Sequence, residues 1–309
     1  MKTYDIVIVG AGPAGMTAAL YALRAGKSTL LVESKAYGGQ IVQSRMVENY
    51  PGAPEISGFE LAEKMMTQLR ALDVEILWSE ITGMRQSDGG WELLTRDAVI
   101  SARAVILATG VGHRTLGVPG EDRLIGRGVS FCATCDGMFF RGREVAVVGG
   151  GNTAVQDAIV LSEICSKVYL IHRRRGFRAE KYLLDKLEKN EKIEMITDTV
   201  VEEIKGENSV SGVVLRNVKS DECRELAVAG VFLAVGVLPQ NAAFADTVAL
   251  SEDGYLLADE DCKTSLAGVF AAGDCRQKSV RQLTTATADG TLAALSACDY
   301  LDAEETVKG

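Results

Sequence analysis

The chain has 309 residues, 47% hydrophobic and 24% charged, a globular mixture with enough apolar mass for two ordinary domains. Its net charge of −9 argues against a nucleic-acid partner, because phosphate contacts need an excess of lysine and arginine on some face. No stretch reaches the ~18 uninterrupted apolar residues of a membrane span, and the seven cysteines show no framework of pairs, which fits a soluble protein of the reducing cytoplasm.

At the N-terminus, MKTYDIVIVGAG has an apolar run too short for a signal sequence. It reads as a buried strand, DIVIVG, entering the glycine turn Gly10-Ala-Gly12-Pro-Ala14-Gly15 and then an apolar helix to about Arg24. A second strand, STLLVE, ends at Glu33. Strand, glycine turn, helix and a strand ending in an acid is the order of a dinucleotide fingerprint. The glycines allow a tight turn and bring backbone amides to a pyrophosphate at the helix N-terminus. Glu33 can accept hydrogen bonds from an adenosine ribose, so this site reads as one for an adenine dinucleotide without a 2′-phosphate.

A buried strand ending in a turn, AVILATG, follows at 104–110. Next comes FCATCDG at 131–137, where Cys132 and Cys135 stand three positions apart with Asp136 directly after. Such a pair is half a zinc site, a structural disulfide or a redox couple. The fingerprint then returns. EVAVVG precedes Gly149-Gly150-Gly151-Asn152-Thr153-Ala154, a helix to about Cys165 and the strand KVYLI. His172 takes the place of Glu33 and opens HRRRGFR, whose Arg173, Arg174 and Arg178 suit a 2′-phosphate. The second site therefore reads as NADP, and two different dinucleotides in one chain imply an electron relay.

Short buried strands recur in GVFLAVG (230–236) and GVFAAGD (268–274). The simplest parse is α/β, with two Rossmann-like domains, one (113–241) inserted into another built from 1–112 and 242–309. The cysteine pair then rides on the inserted domain.

These motifs together resemble the bacterial-type, low-molecular-weight NADPH–thioredoxin reductases. The resemblance spans essentially the whole chain: GAGPAG, GGQ at 38–40, ENYPG at 48–52, ATG at 108–110, CATCD at 132–136, GGGNTA, HRR with GFRAEK, AGD at 272–274 and RQ at 281–282. Its specific part is CATCD combined with GGGNTA and HRR. It implies FAD in the first site, lined by Gly10, Gly12, Ala14, Gly15, Glu33, Gly39, Gln40, Asn49, Gly273, Asp274, Arg281 and Gln282. Asp274 is implied at the ribitol or phosphate end and Gln282 near the isoalloxazine. NADPH is implied at Gly149, Gly151, Asn152, Thr153 and Ala154, with His172, Arg173, Arg174 and Arg178 around the 2′-phosphate. The chain departs from the commoner pattern at Arg175, Met138 and Cys275; Cys275 is implied close to FAD and reads as a small buried residue.

With His172 placed at the phosphate, zinc lacks ligands, because there is no second Cys-x-x-Cys and His113 is the one other histidine. No metal is expected. A structural disulfide closing so small a loop gains little entropy. A redox pair remains. The resemblance implies electrons passing from NADPH through FAD to the pair at Cys135. Cys132 then attacks the disulfide of thioredoxin or a thioredoxin-like protein, and Cys135 resolves the mixed disulfide. Neither histidine adjoins the pair along the chain, and the family's acid is Asp136. A protonated carboxyl needs an apolar setting, which Phe131, Met138, Phe139 and Phe140 can provide. A homodimer is implied too, as is rotation of the NADPH domain about hinges near Gly112–Gly117 and Gly236–Asn241.

Three other readings share these motifs. A flavoprotein component of a peroxide-reducing system would hand its electrons to another disulfide protein. A dithiol oxidase has no need of the HRR cluster. A redox-sensing nucleotide-binding module has no need of a complete relay.

Overall fold

The apolar run of the first fingerprint lies in β1 (Thr3–Val9), and the glycine turn leads into α1 (Pro13–Arg24) and back through β2 (Thr29–Glu33). The structure is a computed structural model describing residues 2–44, 47, 49–53 and 55–308, so Glu48 of the ENYPG motif lies outside the described residues. Two units divide the chain: Met1–Val42, Tyr50–Gly112 and Leu238–Gly309 form the first, Gln43–Asn49 and His113–Val237 the second.

The first unit continues through α2 (Gly58–Arg70), β3 (Glu75–Trp78), the hairpin β4 (Gly83–Ser87) and β5 (Gly90–Leu94), and β6 (Val99–Leu107). β3, β2, β1 and β6 lie side by side in parallel. The other edge of β6 pairs first with antiparallel β5 and then with the parallel strand Val269–Ala271. Side chains of β1 alternate as a two-sided strand requires. Ile6 and Ile8 pack with Met16, Met66 and Leu301, whereas Val7 and Val9 pack with Trp91, Leu93 and Phe244. A capping box starts α2: Ser57 Oγ accepts from the Glu60 N–H at 3.1 Å, and the Glu60 carboxylate accepts from the Ser57 N–H at 3.2 Å.

The turn after β1 is set by close backbone approach. A Cβ on Gly15 would lie 1.8 Å from the carbonyl oxygen of Gly10, and one on Gly10 (φ 106°) would lie 2.3 Å from that of Ala108. Both obstacles are backbone. Gly15→Ala is therefore expected to cost about 3 kcal/mol, read as a lower urea midpoint at unchanged slope.

β7 (Val111–His113) leads out of the first unit. The second contains α3 (Glu121–Leu124), β8 (Val129–Ser130), the single turn α4 (Ala133–Asp136), β9 (Glu144–Gly149), α5 (Asn152–Ile164), β10 (Lys167–Ile171), α6 (Lys181–Glu188) and β11 (Ile193–Ile196). β12 (Thr199–Lys205), β13 (Gly212–Asn217), β14 (Cys223–Leu226) and β15 (Gly230–Ala234) complete it. Its parallel sheet runs β11-β10-β9-β15-β8, and β12, β13 and β14 form a separate antiparallel sheet. Val145 and Val147 of β9 pack with Val155, Ala158 and Leu161 of α5, while Ala146 and Val148 pack with Ile204, Val213 and Leu215. The return strand β16 (Val237–Pro239) pairs with β7.

Two boundaries differ from the sequence reading. The second crossing falls at Val237/Leu238 rather than at 241/242. Asn241 is the reason: it is buried, accepts from Thr109 Oγ1 at 2.7 Å, and donates to the carbonyls of Gly254 and Cys275 at 2.9 Å each, all in the first unit. Gln43–Asn49 groups with the second unit although the chain on both sides belongs to the first.

Candidate active site and its two nucleotide cradles

Cys132 and Cys135 form a disulfide, with Cα atoms 5.3 Å apart, across the one-turn helix α4. Cys132 caps this turn: its carbonyl accepts from the Asp136 N–H at 3.1 Å, and Thr134 Oγ1 lies 3.4 Å from its sulfur. The turn is fixed from below by α5, since a Cβ on Gly137 would meet Leu161 and Ile164 at 3.1 and 3.3 Å.

Asp136 is held by a residue the sequence reading missed. Ser130, 5% exposed at the end of β8, donates from Oγ to Asp136 Oδ2 at 2.6 Å. Ser130 Oγ in turn accepts from the Cys132 N–H at 3.1 Å. Asp136 Oδ1 is closed off from solvent and has no hydrogen-bond partner among the described residues. Burial pushes the Asp136 carboxyl above the ordinary range, and the Ser130 hydrogen bond pulls the other way. Of the expected apolar setting, Phe140 is buried and Phe131 and Phe139 are half-buried, but Met138 is 47% exposed. His113 stacks on Phe131, the residue before Cys132, with ring centroids 4.2 Å apart and planes 10° from parallel. Burial lowers its pKa.

A buried carboxyl titrates at the expense of the fold. The stability owed to neutral Asp136 is complete below the ordinary carboxyl pKa and is lost as pH rises to the elevated folded value. Asp136→Asn is thus expected to melt above the parent at pH 8, with the gap closing towards pH 4; thermal melts across that range measure it.

In the first unit the Gly38 N–H donates to the Ala11 carbonyl at 2.7 Å, which brings GGQ onto the glycine turn. Glu33 sits at the carboxyl end of β2, where Oε2 accepts from the Ala11 N–H at 2.9 Å and Oε1 from the Lys35 N–H at 2.8 Å. Gln40 donates to the Val111 carbonyl at 2.8 Å. AGD joins the same turn, because a Cβ on Gly273 would lie 2.7 Å from the Cβ of Ala14. Arg281 stacks 4.1 Å from the Tyr255 ring centroid and donates to the Asp274 carbonyl at 3.3 Å, and Gln282 leads into the C-terminal helix Leu283–Lys308. Asn49 is exposed and groups with the second unit.

Two features make this end of the sheet a fit for a dinucleotide. α1 begins at Gly12 with no side-chain cap, and a Cβ there would meet nothing closer than 3.9 Å. Asp274 Oδ1 is buried with no hydrogen-bond partner among the described residues, although Lys278 Nζ lies 3.8 Å away. Burial raises the Asp274 pKa against the pull of Lys278 and Arg281. Beneath AGD is a second group the sequence reading missed. Asp289 accepts from the Gly273 N–H at 3.0 Å, Arg276 at 3.1 Å and Lys278 at 2.9 Å. A lone acid amid the small residues TATADG was its one trace in the sequence. Cys275 is 0% exposed, its thiol hydrogen-bonded to main-chain carbonyls and its pKa raised by burial, the setting of an inert thiol.

The second cradle differs in charge. α5 starts at Gly151 without a side-chain cap, and a Cβ there would meet nothing within 4 Å. Thr153 is exposed and Ala154 buried on the first turn of α5, behind Gly149 at the end of β9. The His172 ring stands on the Gly150 backbone, leaving no room for a Cβ (2.1 Å), and stacks on Phe177 with centroids 5.1 Å apart. Its Nε2 is buried without a partner, and burial followed by the nearby arginines lowers its pKa. The Arg178 N–H donates to the Gly150 carbonyl at 2.6 Å, which pins the arginine loop to the glycine turn. Arg173, Arg174, Arg175 and Arg178 are exposed, and none pairs with a carboxylate among the described residues. The Asn152 amide exchanges hydrogen bonds with Glu180 at 2.9 and 2.8 Å, so its side chain locks the loop.

Residues 4–290 match the family model of the pyridine nucleotide-disulphide oxidoreductases. The chain belongs to this family. It is therefore an oxidoreductase, and membership implies a flavin and a pyridine nucleotide. Within the family the chain is 47% identical over 300 residues to a thioredoxin reductase of Treponema pallidum, covering 97% of each. It is 43% identical over 302 residues to that of Listeria monocytogenes, covering 97% of this chain and 95% of the relative. The crystal structure of thioredoxin reductase from Streptococcus pyogenes superposes with a TM-score of 0.93 at 44% identity, over 97% of this chain and 99% of the other. Among the described residues no helix is long and apolar enough to cross a membrane, and no cluster of side chains has the makings of a metal site.

Proposed function

We propose that the chain is an NADPH-dependent thioredoxin reductase, with FAD in the first cradle and NADPH in the second. The observation that carries this reading is the Cys132–Cys135 disulfide with the buried carboxyl of Asp136 beside it, in the same unit as the arginine-flanked turn. When bound, the flavin and nicotinamide supply two-electron hydride chemistry. The uncapped start of α1 and the Asp274 carboxyl hold the first dinucleotide; Arg173, Arg174 and Arg178 grip the 2′-phosphate of the second.

The reduced pair then acts as a dithiol. Cys132 attacks one sulfur of the thioredoxin disulfide as a thiolate, which the Thr134 hydroxyl stabilises. The other thioredoxin sulfur leaves and takes a proton supplied by Asp136. Cys135 gives its proton to Asp136 and attacks the Cys132 sulfur, restoring the disulfide; the second thioredoxin sulfur leaves as a thiolate and takes up a proton from solvent, matching the one Cys132 released when it became a thiolate. Two electrons and two protons have passed to the partner.

The protein is placed in the cytoplasm, where reducing conditions keep the other five cysteines as thiols. It works as a homodimer, for which an open groove of about 490 Å³ in the first unit, lined by Met16, Leu20, Tyr21, Tyr50 and Met65, offers an apolar face. The test is NADPH consumption by the FAD-loaded protein with and without oxidised thioredoxin. Thioredoxin-dependent turnover supports the reading. Flavin reduction that thioredoxin does not accelerate would move the substrate to another disulfide protein or a small dithiol.

A further inference from the structure

Ser130 has one hydroxyl proton and three polar neighbours. Asp136 Oδ2 is at 2.6 Å, the Cys132 N–H at 3.1 Å and the Cys132 carbonyl oxygen at 3.4 Å. The N–H occupies an acceptor lone pair of Oγ, so the hydroxyl proton is free to point at an oxygen, and the Asp136 carboxyl oxygen is the nearer of the two. Asp136 Oδ2 thus already accepts a hydrogen bond, whereas Oδ1 is buried with no hydrogen-bond partner among the described residues. We propose that Ser130 is a positioning residue for the thiol–disulfide chemistry: it holds Oδ2 as an acceptor, so that the mobile proton of Asp136 resides on Oδ1, and it ties that carboxyl to the backbone of the attacking cysteine.

The geometry makes Ser130 the shared pivot of both halves of the step. Its place at the end of β8 is fixed by the parallel sheet, where it stands opposite Phe232 of β15, so the pivot is anchored in the rigid core rather than in a loop. With Oδ2 held, the carboxyl cannot rotate without breaking a short hydrogen bond, and Oδ1 keeps one orientation in both protonation states. The neighbouring elements leave little else to act on it. β8 and the turn Gly137–Phe140 carry no ionisable side chain, and α5 contributes Asp157 and Glu163. Of these, burial holds Asp157 up to about 7. Because the Ser130 hydrogen bond opposes the effect of burial on Asp136, its loss raises the pH at which Asp136 gives up its proton.

The inference rests on the proposed role of Asp136 as the acid, and the test separates the two. Ser130→Ala, Ser130→Thr and Asp136→Asn are compared in the full-length, FAD-loaded chain. Ser130→Ala is expected to lower kcat with thioredoxin about tenfold with little change in KM. A second readout needs neither coenzyme nor partner: the pH dependence of iodoacetamide alkylation of the dithiothreitol-reduced chain. Its step due to Asp136 is expected to move up by about one pH unit in Ser130→Ala and to return in Ser130→Thr, which restores the hydroxyl. A Ser130→Ala protein with the parent kcat and alkylation profile, beside a crippled Asp136→Asn, overturns the role of Ser130 alone. If Asp136→Asn also keeps the parent kcat, the reading of Asp136 as the acid falls with it.

Discussion

Cys135→Ser is expected to abolish thioredoxin-dependent oxidation of NADPH, by at least about a thousandfold, while NADPH still bleaches the flavin absorbance. The two halves of the chemistry separate because the nucleotide cradles are built from backbone turns and charged loops that do not use the pair. Cys132 is left as a single thiol, capping α4 with Thr134 Oγ1 3.4 Å from its sulfur. It can still attack a thioredoxin disulfide, but no neighbouring thiol remains to resolve the product. The variant is therefore expected to accumulate a mixed disulfide with thioredoxin that dithiothreitol releases. Cys132→Ser shares the loss of turnover without forming that adduct. Non-reducing electrophoresis of the two variants after mixing with oxidised thioredoxin distinguishes them.

The second large effect concerns coenzyme choice. Arg173 and Arg174 are exposed and unpaired with carboxylates among the described residues, so removing them costs the fold little. Each charge-assisted hydrogen bond to a phosphate contributes about 1.5 kcal/mol or more. Arg173→Ala/Arg174→Ala is expected to raise KM for NADPH roughly a hundredfold, with KM for NADH changed less than about twofold. Raised salt should weaken NADPH binding to the parent more than to the variant, because the lost interaction is electrostatic. Steady-state kinetics with both coenzymes at two ionic strengths measures this.

The parts of the fold legible in the sequence were those dictated by local pattern. DIVIVG and EVAVVG are continuous apolar runs, and each becomes a strand buried on both faces because helices or a second sheet cover it. The glycine turns were legible because close backbone approach leaves no room for a side chain, as at Gly15 and Gly149. The cysteine pair and Asp136 announced themselves by adjacency.

What pattern could not reach was contact made through folding. Ser130 meets Asp136 across a tight turn, and nothing in VSFCATCD marks a serine as the holder of a carboxyl. Asp289 reaches the AGD turn and two cations from a helix whose sequence shows only small residues there. His113 is distant from Cys132 in the chain, yet its ring lies on Phe131. The second crossing was misplaced by a few residues because Asn241 looks like a loop residue, while its buried amide binds it to the first unit. Nor does GGGNTA show that the Asn152 amide meets Glu180 across the loop.

The central claim is that the Cys132–Cys135 pair is the station through which electrons reach the protein substrate. The most direct measurement is an anaerobic mixing experiment on the FAD-loaded chain, quenched in acid, alkylated and read by peptide mass spectrometry. NADPH alone is expected to leave both cysteines alkylated. A following pulse of oxidised thioredoxin should return them to the disulfide, with the label now on thioredoxin. Thioredoxin reduced while Cys132–Cys135 stays oxidised throughout, or a reduced pair that thioredoxin fails to reoxidise, would contradict the account.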